Sequence, residues 1–203
     1  MYTRNLLIAI FSFLALAACS PKPSESTENS DNETEVNANI EKAKAEVIEG
    51  FKNVGDSITK VAFEHLSTKL KSVIDTGGFA RAVDFCSVEA LPLTKQVADK
   101  YNVKIQRIAT KYRNPFNMAR DNDLAVIEGF ANNKAPVVIE SENAYTYYKP
   151  IGTMAVCLNC HGKAGETLNE LAYQTIIAKY PEDKAIGFNE GDLRGAWKIT
   201  FEK

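Results

Sequence analysis

The fold class is decided by the stretch Ala196-Trp197-Lys198-Ile199-Thr200-Phe201-Glu202, near the end of the chain. Its apolar residues Trp197, Ile199 and Phe201 alternate with polar ones. This period of two is typical of a β-strand that packs one face and leaves the other in water. A strand at this position argues against a purely helical bundle.

Upstream of this strand, the pattern predicts further strands and several helices. Segments 103–108, 136–140 and 145–151 have strand-like composition, the last two being rich in Val, Ile and Tyr. Apolar residues recur every three or four positions from Ile40 to Ile74, which predicts a long helix ending at Gly77-Gly78. A second helix is expected from Phe79 until Pro92 stops it, a short helical stretch to Tyr101, and two more helices at 123–131 and 167–179. The sum is an α+β fold with antiparallel strands late in the chain.

Composition limits the protein to a few classes. The chain has 203 residues, which favours one folded domain. Its 24 Lys and Arg against 26 Asp and Glu give a net charge of −2. No broad basic field is present, so nucleic acid is excluded as the expected partner.

The N-terminus is predicted to be an export signal. Arg4 precedes an apolar run, and Leu16-Ala17-Ala18-Cys19 resembles the lipobox of bacterial lipoproteins, in which the cysteine is acylated. We therefore expect a signal peptide at 1–18 and a lipid on Cys19, with Ser20 permitting transport to the outer membrane. The alternative is an ordinary cleaved signal in which Cys19 is incidental. Segment 19–39 is polar and is predicted to be a disordered tether in the periplasm, followed by a folded domain at 40–203.

Cys157-Leu158-Asn159-Cys160-His161 is the attachment sequence of c-type haem. Two thiols at this spacing reach two vinyl groups of one porphyrin, and the adjacent imidazole then serves as an iron ligand. A redox C-x-x-C pair and half of a zinc site are the alternatives. The first lacks its usual βαβ context, and the second lacks another ligand pair. We expect one covalent haem c, attached through Cys157 and Cys160 and ligated by His161.

Cys86 is the remaining cysteine once Cys19, Cys157 and Cys160 are assigned. It is either a buried small apolar residue or the second iron ligand, bound as a thiolate. The other candidate ligands are Met154, Met118 and His65, and an open coordination site is also possible. Met154 is too close to Cys157 to cross the ring easily. The residues alone only slightly favour Cys86 over an open site.

Several short motifs occur in the same order as in one bacterial family and span about residues 45 to 203. They are Ala82-Val83-Asp84-Phe85-Cys86-Ser87, Lys111-Tyr112-Arg113-Asn114-Pro115-Phe116-Asn117, Lys149-Pro150-Ile151, Cys157-Leu158-Asn159-Cys160-His161-Gly162 and Glu190-Gly191-Asp192-Leu193-Arg194-Gly195-Ala196. With them the chain resembles the c-type haem domains with a PAS-like fold and His/Cys axial ligation, first recognised in cyanobacteria and also found in sensor kinases. The resemblance implies that Cys86 and His161 are the axial ligands. The chain departs from the family at 118–123, where a Pro and an aromatic-acidic pair are usual.

Arg113 and Arg194 lie in these motifs and are candidate donors to the haem propionates, which need charge-assisted hydrogen bonds. The alternative for either is a structural salt bridge, for instance with Asp192.

The expected function follows from the ligand pair. A thiolate ligand lowers the reduction potential, and its loss on reduction would open a site for a small ligand such as a gas. We therefore expect a redox or small-ligand sensor in the cell envelope that signals to a separate protein partner. The alternatives are an electron-transfer cytochrome, including the five-coordinate type, and a thiolate-haem enzyme acting on sulfur compounds or peroxide.

Overall fold

The computed structural model describes the backbone of residues 28–203 and the side chains of residues 33–203. The predicted signal peptide and Cys19 lie outside the described residues. Contacts divide the chain into two units, Met1–Glu41 and Lys42–Lys203. The second unit contains the sheet and the site discussed below.

Helix α1, Glu28–Tyr101, is interrupted only at Gly78, whose backbone has φ 71° and ψ −174°. The left-handed φ is accessible to glycine at little cost, and here it separates two helical segments. The segments form a hairpin, in which His65 Nε2 and Gln96 Oε1 are 3.0 Å apart. The predicted break at Gly77-Gly78 is confirmed. The first segment begins at Glu28 instead of Ile40, so part of the predicted tether is helical.

Pro92 does not stop the second helical segment, so that prediction was wrong. Pro92 lies inside α1, which continues to Tyr101. A proline in a helix costs about 3 kcal/mol, partly because the carbonyl four residues earlier loses its hydrogen bond. That carbonyl belongs to Val88, which is 66% exposed and therefore open to water. Burial of Leu93 and Val97 offsets the rest of the cost.

The described part of the chain contains a four-stranded antiparallel sheet in the order β1-β4-β3-β2. The strands are β1 Lys104–Ile108, β2 Val137–Glu140, β3 Ala144–Gly152 and β4 Leu193–Glu202. Three helices accompany them: α2 Asn122–Gly129, α3 Leu158–His161 and α4 Glu170–Lys179. The four strand predictions and the α+β class are confirmed. The one-turn helix α3 was not predicted.

The sheet is covered on both faces, so the prediction that the last strand leaves one face in water was wrong. On one face Tyr147, Trp197 and Ile199 pack against Ile58 and Val97 of α1. On the other face a second cluster is formed by Ile108, Ala119, Ile127, Phe130, Tyr148 and Ala196. None of the helices in residues 28–203 is both long and apolar enough to cross a membrane.

Candidate functional site

A cavity of about 700 Å³ lies beside the second segment of α1. Phe79, Val83, Cys86 and Ala90 form one stripe of this segment and line the cavity. In sequence the stripe has the appearance of a helix face buried in a core. In the structure it faces a space of the size that binds cofactors and other small molecules.

The cavity brings together the main candidate residues of the sequence. Its lining includes Cys86, Arg113, Cys157, Cys160, His161 and Arg194, and also Arg107, Met154 and Tyr180. The three cysteines are free thiols. Cys86 and the C-x-x-C-H motif are therefore on different elements that share one cavity.

The C-x-x-C-H motif forms a single helical turn. A 3-10 turn, Ala155–Cys157, leads directly into α3, which ends at His161. Gly162 follows, and a Cβ at this position would lie 2.2 Å from Thr167 Oγ1 and 2.5 Å from the Leu158 carbonyl oxygen. Glycine is therefore needed for the chain to leave α3 in such close packing. This packing holds the end of the motif against the loop that follows.

His161 is held by the loop between α4 and β4. Its Nδ1 lies 2.7 Å from the Ala185 carbonyl oxygen, which can only accept a hydrogen bond. Nδ1 must therefore carry the proton, and Nε2 keeps a free lone pair. Burial of the ring, with the charges of Arg194 and Arg113, lowers the pKa of His161 well below its usual value. The imidazole is neutral, which is the form that binds metals.

Arg113 connects this loop to the motif. Its Nε and Nη2 donate to the two carboxylate oxygens of Asp183 at 3.1 and 3.2 Å, and Nη2 also donates to the Cys160 carbonyl at 2.7 Å. The side chains of Arg113 and Asp183 are only 13% and 6% exposed. Asp183, and not Asp192, is thus the salt-bridge partner of Arg113. Asp192 instead accepts from the backbone amide of Asn189.

Arg194 has spare hydrogen-bonding capacity. Nη1 donates to the Lys111 carbonyl at 2.8 Å, whereas its buried Nε is without a hydrogen-bond partner in the described structure. Burial, helped by the charge of Arg113, lowers the pKa of Arg194 to about 10. Buried polar atoms are rarely left unpaired, so the orphan Nε indicates a donor directed at a ligand.

The cavity thiols are in a poorly solvated environment. Burial raises the pKa of Cys160 to about 11. Burial also raises the pKa of Cys86, and the charges of Arg107 and Arg113 oppose the rise. Both cysteines are therefore thiols in this structure, and a positive charge or a metal is needed to favour the thiolate.

The other candidate ligands differ in position. Met154 lines the cavity close to Cys157. His65 bonds to Gln96 across the helical hairpin, and Met118 pairs through its backbone with Ala109; neither lines the cavity. Residues 28–203 contain no cluster of three or more His, Cys, Asp or Glu side chains arranged to bind a metal ion.

Sequence reasoning missed Arg107 and Asp183. Arg107 lies inside a predicted strand, where a polar residue is normally assigned to the solvent-exposed face. Asp183 is one of several charged residues in the Pro181-Glu182-Asp183-Lys184 turn. Nothing local distinguishes it from a solvent-exposed loop residue.

A model of the Tll0287-like family matches residues 25–201. The chain belongs to this family. The crystal structure of the cyanobacterial haem protein Tll0287 is similar, with 28% identity and a TM-score of 0.55, over 75% of this chain and 96% of that one. None of the curated proteins matches the chain.

Proposed function

We propose that this member of the Tll0287-like family is a mono-haem c-type cytochrome. The observation that carries the proposal is the cavity, which has the C-x-x-C-H motif and Cys86 in its lining. Cys157 and Cys160 would bind the porphyrin covalently, and His161 and Cys86 would hold the iron. The family relationship to a cyanobacterial haem protein supports the same cofactor.

The residues present fit a haem. His161 has a neutral ring whose Nδ1 proton is bonded to a backbone carbonyl, the usual arrangement of a metal-binding histidine. The orphan Nε of Arg194 provides a charge-assisted donor for a propionate. Arg113 is committed to Asp183 and Cys160, so its contribution to the propionates would be mainly its charge.

The thiolate ligand supports a sensor more than a general electron carrier. The bound iron would supply one-electron chemistry at a low potential, because a thiolate favours the ferric state. Departure of Cys86 would free one coordination position for a small ligand. Cys86 also lies on the helical segment that follows the break at Gly78. Its release from the iron would therefore remove one of the contacts that hold this segment in place. That is the kind of two-state element a redox or gas sensor requires. A lipid on Cys19 would keep the domain at the cell envelope, close to a protein partner.

Electron paramagnetic resonance of the ferric protein tests the ligand pair. The wild type is expected to give a low-spin thiolate signal that is lost in Cys86→Ser. Ser87→Ala is a matched control, since Ser87 neighbours Cys86 and, among the described residues, its hydroxyl bonds only to the Asp84 carbonyl of its own helix. A signal unchanged in Cys86→Ser would reject the thiolate ligand.

Once the thiolate signal shows that Cys86 binds the ferric iron, carbon monoxide distinguishes the sensor from a six-coordinate electron-transfer cytochrome. If the reduced protein binds carbon monoxide, a coordination position opens on reduction, as a sensor requires. If Cys86 stays bound and no ligand enters, simple electron transfer is favoured. Turnover with thiosulfate or peroxide would instead indicate an enzyme.

A further inference from the structure

Arg107 is half-buried on the edge strand β1, lines the cavity and has no carboxylate partner among residues 33–203. Its Nη2 donates a weak 3.4 Å hydrogen bond to the Ala90 carbonyl, and its guanidinium lies 5.7 Å from the centre of the Trp197 ring. Cys86 lines the same cavity. An unpaired guanidinium on the wall of a poorly solvated cavity favours a negative charge placed beside it.

Some of the charged side chains at the cavity have a partner of opposite charge, and others do not. Lys71 and Asp75 form an ion pair at 2.6 Å. Arg113 and Asp183 form the buried pair described above. Arg107 and Arg194 remain without an acidic partner within hydrogen-bonding distance in the described structure. The cavity therefore carries two uncompensated positive charges.

The two arginines belong to different sides of the cavity. Arg194 bonds through Nη1 to the carbonyl of Lys111, in the loop that follows β1. Arg107 bonds to Ala90, one helical turn beyond Cys86 on the same face of α1. Arg107 is thus the unpaired cation of the Cys86 side.

We propose that Arg107 is a positioning residue for the Cys86 ligand: its guanidinium supplies the positive charge that balances the anionic sulfur on this side of the cavity. The inference rests on the proposed function and adds to it the residue that maintains the thiolate ligand. Without Arg107, binding through the Cys86 sulfur would leave a negative charge in a poorly solvated space. The ligand would then be lost although every group that touches the haem is intact.

The test compares Arg107→Met, Arg107→Lys and Arg81→Met in the haem-loaded protein. Arg81 is an exposed arginine on the same helical segment and does not line the cavity, so its variant is the matched control. The ferric low-spin thiolate signal is expected to fall by about tenfold or more in Arg107→Met, as for a buried charge that loses its partner. Arg107→Lys should recover much of the signal, and Arg81→Met should keep all of it. Haem content and far-ultraviolet circular dichroism show whether each variant is folded and loaded.

A Cys86→Met background separates the charge from a packing role. Methionine keeps a sulfur ligand but carries no charge, so adding Arg107→Met there should lower the thermal midpoint less than in the wild type. An equal loss in both backgrounds overturns the inference, as does a wild-type thiolate signal in folded Arg107→Met. If the wild type itself has no thiolate signal, the proposed ligand pair fails instead, and Arg107 fails with it.

Discussion

The buried ion pair between Arg113 and Asp183 gives the sharpest stability prediction. Asp183→Asn keeps the shape of the side chain and an oxygen for the Ala185 amide, which donates to Asp183 at 3.0 Å. It removes the charge that compensates Arg113 in a site where both side chains are at most 13% exposed. Removal of one partner of a buried pair costs about 3–5 kcal/mol. We expect the free energy of unfolding to fall by about 3 kcal/mol, or the melting temperature by roughly 10 °C.

The exposed pair between Lys95 and Asp99 is a matched control. The two are 2.7 Å apart, and their side chains are 73% and 64% exposed. Asp99→Asn should therefore cost at most about 1 kcal/mol. Urea unfolding followed by circular dichroism measures both variants. If Asp183→Asn costs no more than Asp99→Asn, the argument that Arg113 depends on a desolvated charge is refuted.

Two further predictions concern the contact between α1 and β3. Gly55→Ala should destabilise the protein by about 1–3 kcal/mol, because a Cβ would lie 2.4 Å from the Tyr147 ring. A Cβ at Gly50 would meet no neighbouring atom, so Gly50→Ala should instead stabilise the protein by up to about 1 kcal/mol. Similar melting temperatures for the two variants would contradict the close packing of Gly55 against Tyr147. Burial raises the pKa of Asp56, but hydrogen bonds from Lys149 and Tyr147 lower it more, and the net shift is downward. Asp56 should thus stabilise the fold above pH about 4 and lose this effect as the pH falls further. Acid unfolding of Asp56→Asn checks this, and an acid transition as steep as that of the wild type would count against it.

Local sequence patterns were sufficient for most of the secondary structure. The alternation in 196–202 and the helical periodicity of 40–74 both report which face of an element is apolar. Ile58, Trp197 and Ile199 are buried as predicted, whereas Val47 and Val54 of the same helical stripe are 44% and 48% exposed. Pro92 was misjudged because a single-residue penalty was weighed without the packing of Leu93 and Val97 that offsets it. The C-x-x-C-H motif was recognisable because its chemistry depends on spacing within five residues.

The tertiary structure alone decided which residues surround that motif. Cys86 had several competitors in the sequence, and the hairpin at Gly78 brings its helix face into the same cavity as His161. Asp183 and Arg107 could not be found from sequence, because their partners are distant in the chain and nothing local marks them. Burial and charge pairing are properties of the assembled fold. The sequence by itself determined the strands, most of the helices and the expected chemistry of the motif, and the fold determined the charges that surround it.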